Sequence, residues 1–132
     1  MEKTFTRGKI LNMPAGREMD ALVWMAMNNQ KPDLSMCRYV DGDYQPNAGY
    51  PVGHIIPPPY SKEIYWAWNA LSKFDQKEWD ICVYTHTDSE PLVWETTMCE
   101  YFEDGIGRQG KGEADTVPLA ICRAILMATI IS

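Results

Sequence analysis

The stretch from Ala114 to Ser132, ADTVPLAICRAILMATIIS, limits what this chain can fold into more than any other. On a helical wheel Ile121, Cys122, Ile125, Ala128 and Thr129 fall on one side and Leu119, Leu126 and Ile130 on another. Ala120, Ala124, Met127 and Ile131 fill the gap between them. A helix without a polar face has to be enclosed on several sides. Its start is marked: Asp115 or Thr116 is placed to cap the free amides, and Pro118 fits a first helical turn. One charge, Arg123, interrupts the apolar run. A guanidinium keeps its proton, so in apolar surroundings it needs a carboxylate, a phosphate or water. The rest of the chain is expected to pack around this helix and to provide for Arg123.

The same run is too short to span a bilayer unaided and carries a charge, and nothing resembles a signal peptide, so a cytosolic protein is expected. At 132 residues the length fits a single domain with one core. Cys37, Cys82, Cys99 and Cys122 form no CxxC, and the two histidines have no ligand-like spacing. Free thiols, no metal and no cofactor are therefore expected. A net charge of −6 argues against binding of long nucleic acid, which requires a broad basic face. It leaves room for a small anion held by a few cations and helix-terminal amides.

Residues 1–13 read as an arm or a short edge strand. Met19, Leu22, Val23 and Ala26 then form an i, i+3, i+4, i+7 stripe, predicting a helix over about 16–29 with Glu18 and Asp20 at its favourable end. Residues 31–60 carry six of the nine prolines, which excludes a long helix there. This insert supports short strands near 36–40 and Tyr44, joined at Asp41-Gly42. Its Arg38, Tyr39, Tyr44, Tyr50 and His54 either line a pocket or cover a sheet edge. A second helix is expected over 61–73, with Ser61 as N-cap and Ile64, Ala67, Trp68 and Leu71 buried. Trp66 lies off that stripe, as a rim residue or a contact to another subunit. Trp79–His86 and Leu92–Glu103 then read as an antiparallel hairpin, and both faces of the second strand are mixed. Asp104–Glu113, DGIGRQGKGE, reads as a flexible loop bearing Arg108 and Lys111. Glycine-rich backbone before helix amides can grip a phosphate, although a plain connection has the same composition.

Three segments together resemble a known family. PAGREMDALVWMAM, PPPYSKEIYWAWNAL and ADTVPLAICRAIL are similar, in that order, to the helix motifs of the phage α-β-α (ABA) sandwich domain. The second carries Pro59, Tyr60, Ser61, Ile64, Ala67 and Trp68, and the third carries Ala114, Pro118 to Ala124 with Arg123. The matches cover about a third of the chain; the proline-rich insert and the glycine-rich segment depart from the family's pattern. The resemblance implies an α+β domain spanning 1–132, an antiparallel sheet of three to five strands flanked by three main helices. Phage proteins that inhibit Thoeris defence resemble the same architecture, binding cyclic ADP-ribose-type signals, and in some cases cyclic oligonucleotides, without cleaving them. By that resemblance this chain is expected to be a non-enzymatic anti-defence sponge in the host cytoplasm, a homo-oligomer (dimer or higher) with pockets near subunit boundaries.

For such a ligand the candidate residues are Arg123 and Arg108 for phosphate, Thr116 at the helix N-terminus, and Trp94 or Tyr101 for stacking on a base. Arg123 has an alternative, an internal ion pair with Glu95, Glu100 or Glu103. An enzyme would have Glu95, Glu100, Glu103, Asp104, His54 and His86 to draw on, but none of these pairs has the sequence spacing of a known catalytic signature. The other reading is a phage interaction protein that meets a host protein through the insert and Trp66.

Overall fold

The computed structural model describes residues 7–74, 78–86 and 90–131. It is an α+β fold, as the sequence implies. In chain order it has α1 (Arg7–Asn12), α2 (Arg17–Met27), β1 (Arg38–Val40), β2 (Asp43–Gln45), α3 (Ile64–Leu71), β3 (Trp79–His86), β4 (Val93–Phe102), β5 (Gly105–Ala114) and α4 (Val117–Leu126). A π-helical turn, Met127–Ile131, extends α4. Among the described residues no helix is long and apolar enough to cross a membrane.

The last helix is central. It packs against β4 and β5 on one side and against α2 and α3 on the other, with α1 near its end. Ala120, Ile121, Cys122, Ala124, Ile125 and Leu126 are completely buried. The enclosure that its apolar circumference demands is thus met within one chain, and α4 gives no argument for an oligomer. Burial pushes the Cys122 thiol well above its ordinary pKa, so it stays a neutral packing group.

The main sheet has the order β3-β4-β5, antiparallel throughout. Trp79 pairs with Glu100, Ile81 with Met98 and Val83 with Thr96, while Met98 pairs with Gly110, Thr96 with Gly112 and Trp94 with Ala114. Side chains alternate across a strand, so these residues share one face. That is the face under α4. A Cβ on Gly110 would run into the Ala124 carbonyl and one on Gly112 into the Ala120 carbonyl, so glycine lets the α4 backbone lie directly on β5. The opposite face carries Asp80, Cys82, Tyr84 and His86, then Glu95, Thr97, Cys99 and Tyr101, then Gln109, Lys111 and Glu113.

Several expectations need correction. Residues 104–113 are not a loop: most of them are strand β5. The glycines on its inner face act as the small residues of a half-buried strand, with Gln109, Lys111 and Glu113 facing outward. In the N-terminal segment, 7–12 is helical rather than extended and buries Ile10 completely, while residues 1–6 lie outside the described residues. Ser61 does not cap α3, which begins at Ile64 with Glu63 in the cap position. Its amide and hydroxyl instead donate to Asp20 Oδ1 of α2, at 2.8 and 2.7 Å. The α3 stripe is also rotated: Ala67, Ala70 and Leu71 are buried, Ile64 and Trp68 are about half exposed, and Trp66 packs partly against the core.

The insert behaves as expected near β1 and β2. Asp41 and Gly42 turn the hairpin with φ of 50° and 87°, the left-handed pair that a two-residue hairpin loop needs. The expected β3–β4 hairpin is present, although residues 87–89 of its turn lie outside the described residues.

Candidate functional site

The outward face of the sheet is where polar chemistry gathers. Tyr84, Glu95 and Glu113 lie in one cross-strand row, Cys82, Thr97 and Lys111 in the next, and His86 closes the β3 end. Glu95 is buried, with its side chain only 2% exposed. His86 Nε2 lies 3.1 Å from Glu95 Oε1, and Lys111 Nζ lies 3.2 Å from the same oxygen and 3.4 Å from Glu113 Oε1. Side-chain hydrogen bonding to Glu95 and then to Glu113 raises the Lys111 pKa, so the ammonium is firmly charged. Glu113 is lowered by its hydrogen bond with Glu95 and by the Lys111 ammonium. The donor atoms of His86, Glu95 and Glu113 lie within 4.8 Å of one another, a composition that suits a divalent ion. Lys111 already supplies positive charge to both carboxylates there, and a metal would have to displace it.

Beside this cluster lies a groove of 730 Å³. Thr97, Cys99, Gln109, Lys111 and Glu113 line it from the outward sheet face, and Leu11 and Met127 close it where the edge of β5 meets the helices. One end therefore offers an ammonium, a carboxylate and an amide, and the other offers thioether and aliphatic surface. That combination orients a small amphipathic molecule.

The residues expected from sequence to bind a ligand are not brought together. Arg123 donates through Nη1 to the Glu113 carbonyl at 2.6 Å and through Nη2 to the Met13 carbonyl at 2.9 Å. Burial lowers its pKa, and its buried Nε has no hydrogen-bond partner among the described residues. It pairs with none of Glu95, Glu100 or Glu103 but ties the α1–α2 link to the end of β5. Arg108 lies on the helix-side face, bonded to Glu100 through Nε at 3.0 Å and Nη2 at 3.1 Å, with its guanidinium 5.2 Å from the Trp79 ring centre. Thr116 occupies the N-cap position of α4, without a side-chain cap, and is exposed.

Trp94 is half-buried on the helix-side face, opposite Ala114. Tyr101 is on the outward face and half exposed, seven positions along β4 from Trp94, which is roughly 23 Å at strand rise. Of the five, only Tyr101 shares the outward face with the groove. Sequence reading met Lys111 only as a cation of a phosphate-gripping loop, missed Glu113 as a site residue, and left His86 and Glu95 unpaired. Their contact is made by strand register across a turn, which no short motif encodes.

In the insert, Tyr39 and Tyr44 pack ring to ring at 4.9 Å and border a shallow 340 Å³ groove with Arg17 and Glu18. His54 borders a different one, Arg38 is bonded to Gln45, and Tyr50 is fully exposed. The five residues do not form one pocket. No family model, curated protein or solved structure matches the chain.

Proposed function

We propose that this chain binds a small cyclic nucleotide signal and holds it without cleaving it, acting as a phage anti-defence sponge in the host cytoplasm. The observation that carries the reading is the 730 Å³ groove along β4 and β5, within the range of about 300–1,000 Å³ used for small ligands. The resemblance to the phage α-β-α sandwich domain supplies the ligand class, a cyclic ADP-ribose isomer or a cyclic oligonucleotide. In this reading Lys111 and Gln109 meet the phosphates, and Leu11 and Met127 meet the base and ribose edges. Tyr101, exposed on the same face, is the stacking ring. Arg123, Arg108 and Trp94 serve the fold around the groove rather than the ligand, and Thr116 lies apart from it.

The test is calorimetric titration with cyclic ADP-ribose isomers and cyclic oligonucleotides, followed by denaturation and chromatography of the nucleotide. Binding with intact recovery is expected, together with at least a tenfold loss of affinity in Lys111→Ala, about what loss of one charged hydrogen bond produces. Conversion of the nucleotide would overturn the sponge reading in favour of an enzyme.

A second reading is favoured by a different observation. Met36, Tyr39, Tyr50, Val52 and Ile56 of the insert are all more than half exposed. Such a surface suits a host protein, and Trp66 takes no part in it because it faces the core. Deleting residues 47–53 should leave nucleotide binding intact and abolish any host-protein capture.

A further inference from the structure

We infer that β3 is a subunit interface, pairing antiparallel with β3 of a second copy about Val83 to join two three-stranded sheets into one of six. The inference stands apart from what the groove binds. The Tyr101 amide donates to the Glu78 carbonyl at 2.7 Å, which makes this a hydrogen-bonded pair of the β3–β4 ladder. Alternation then assigns the main-chain groups of Asp80, Cys82, Tyr84 and His86 to β4. Those of Trp79, Ile81, Val83 and Thr85 point away from it, toward the free edge. Among the described residues no strand pairs with that edge. The edge is eight residues long and has neither proline nor lysine, and its one formal charge is Asp80, so it is weakly protected against pairing.

A twofold axis requires self-complementary pairing, and the sequence of β3 provides it. With Val83 opposite Val83 of the second copy, Ile81 faces Thr85 and Cys82 faces Tyr84. Asp80 then lies opposite His86, whose Nε2 is held by Glu95, so the outermost cross-strand pairs set a carboxylate beside an imidazole already oriented within its own chain. These even-numbered pairs are the non-hydrogen-bonded ones, in which side chains approach most closely. Ile81 and Val83 present their main-chain groups outward in this register, so the hydrogen bonds and the charge complementarity agree.

The neighbouring helix adds an apolar surface to the same edge. Trp68, 54% exposed, borders a groove with Trp79, Ile81 and Val83, and Ile64, 51% exposed, lies one turn before it on α3. Joining the two sheets sets these grooves side by side across the axis and gives both side chains a surface to cover.

Sedimentation equilibrium at micromolar concentration tests the interface. The wild-type chain should be a dimer and Val83→Pro a monomer with an unchanged circular dichroism spectrum, because an edge strand tolerates proline where its N–H faces outward. Asp80→Lys, an exposed substitution that leaves the strand intact, should weaken the dimer at least tenfold. Register is read by oxidation: Tyr84→Cys should cross-link two chains through Cys82, and adding Cys82→Ser should abolish the cross-link. A monomeric wild type, or a dimer unaffected by both Val83→Pro and Asp80→Lys, would overturn the interface. A Cys82–Cys82 cross-link in the wild type would overturn the Val83 register.

Discussion

Arg123 gives both of its terminal nitrogens to main-chain carbonyls, Met13 on one side and Glu113 on the other. Because these carbonyls end two segments that are distant in sequence, the guanidinium works as a clamp. Arg123→Ala should therefore lower stability by roughly 2–3 kcal/mol, the scale of charge-assisted hydrogen bonds, and leave ligand affinity unchanged. Chemical denaturation paired with titration separates the two effects.

Asp20 is a second clamp: its carboxylate receives both the amide and the hydroxyl of Ser61, while burial raises its pKa. Asp20→Ala leaves the buried Ser61 amide unsatisfied and its hydroxyl with only the longer 3.3 Å bond to the Gly16 carbonyl, and should cost about 1–3 kcal/mol, whereas Asp20→Asn keeps the acceptor and should cost far less. Glu100 works in the opposite sense, since hydrogen bonding from Arg108 holds its pKa below the ordinary 4.5. A depressed carboxylate stabilises the fold above its unfolded pKa and loses that contribution as pH falls through the folded value. Thermal melts should therefore show a loss of stability below about pH 4.5 that is smaller in Glu100→Gln than in the wild type. The need for a partner at Arg123 was legible in the sequence. The partner's identity was not, because a main-chain carbonyl carries no sequence signature.

At the scale of elements, α2, α4 and the β3–β4 hairpin follow from periodicity. The glycine-rich strand does not, because composition and packing point in opposite directions. Four glycines between Asp104 and Glu113 read as a loop when propensity decides, and as a strand when a helix backbone must lie on the sheet. The pattern G-K-G-E-A from Gly110 to Ala114 does alternate small and polar positions, which is the signal that could have identified β5. Gly112→Ala should then cost about 3 kcal/mol or more through overpacking against Ala120 and Ala124, while the same change at Gly42 acts only through its turn conformation. Urea unfolding of the two variants makes the comparison. On α3, helical spacing found the amphipathic element but misplaced its face, since Ile64 and Trp68 are as apolar as the residues that are buried.

Across the whole molecule, a single enclosed helix organises the core, and the sheet turns its polar face outward. Helices α2, α3 and α4 were therefore readable from sequence, because burial leaves a periodic record, while the short α1 was not. The groove was not, because Thr97, Cys99, Gln109 and Lys111 meet through strand pairing and are unremarkable in sequence. The measurement that bears most directly on the central claim is native mass spectrometry of the wild-type chain with cyclic ADP-ribose isomers and cyclic oligonucleotides. Adducts of intact nucleotide mass that disappear in Lys111→Ala and persist in Arg123→Ala are the predicted result. A folded protein that takes up none of these nucleotides, or an adduct that survives Lys111→Ala and is lost in Arg123→Ala, would contradict it.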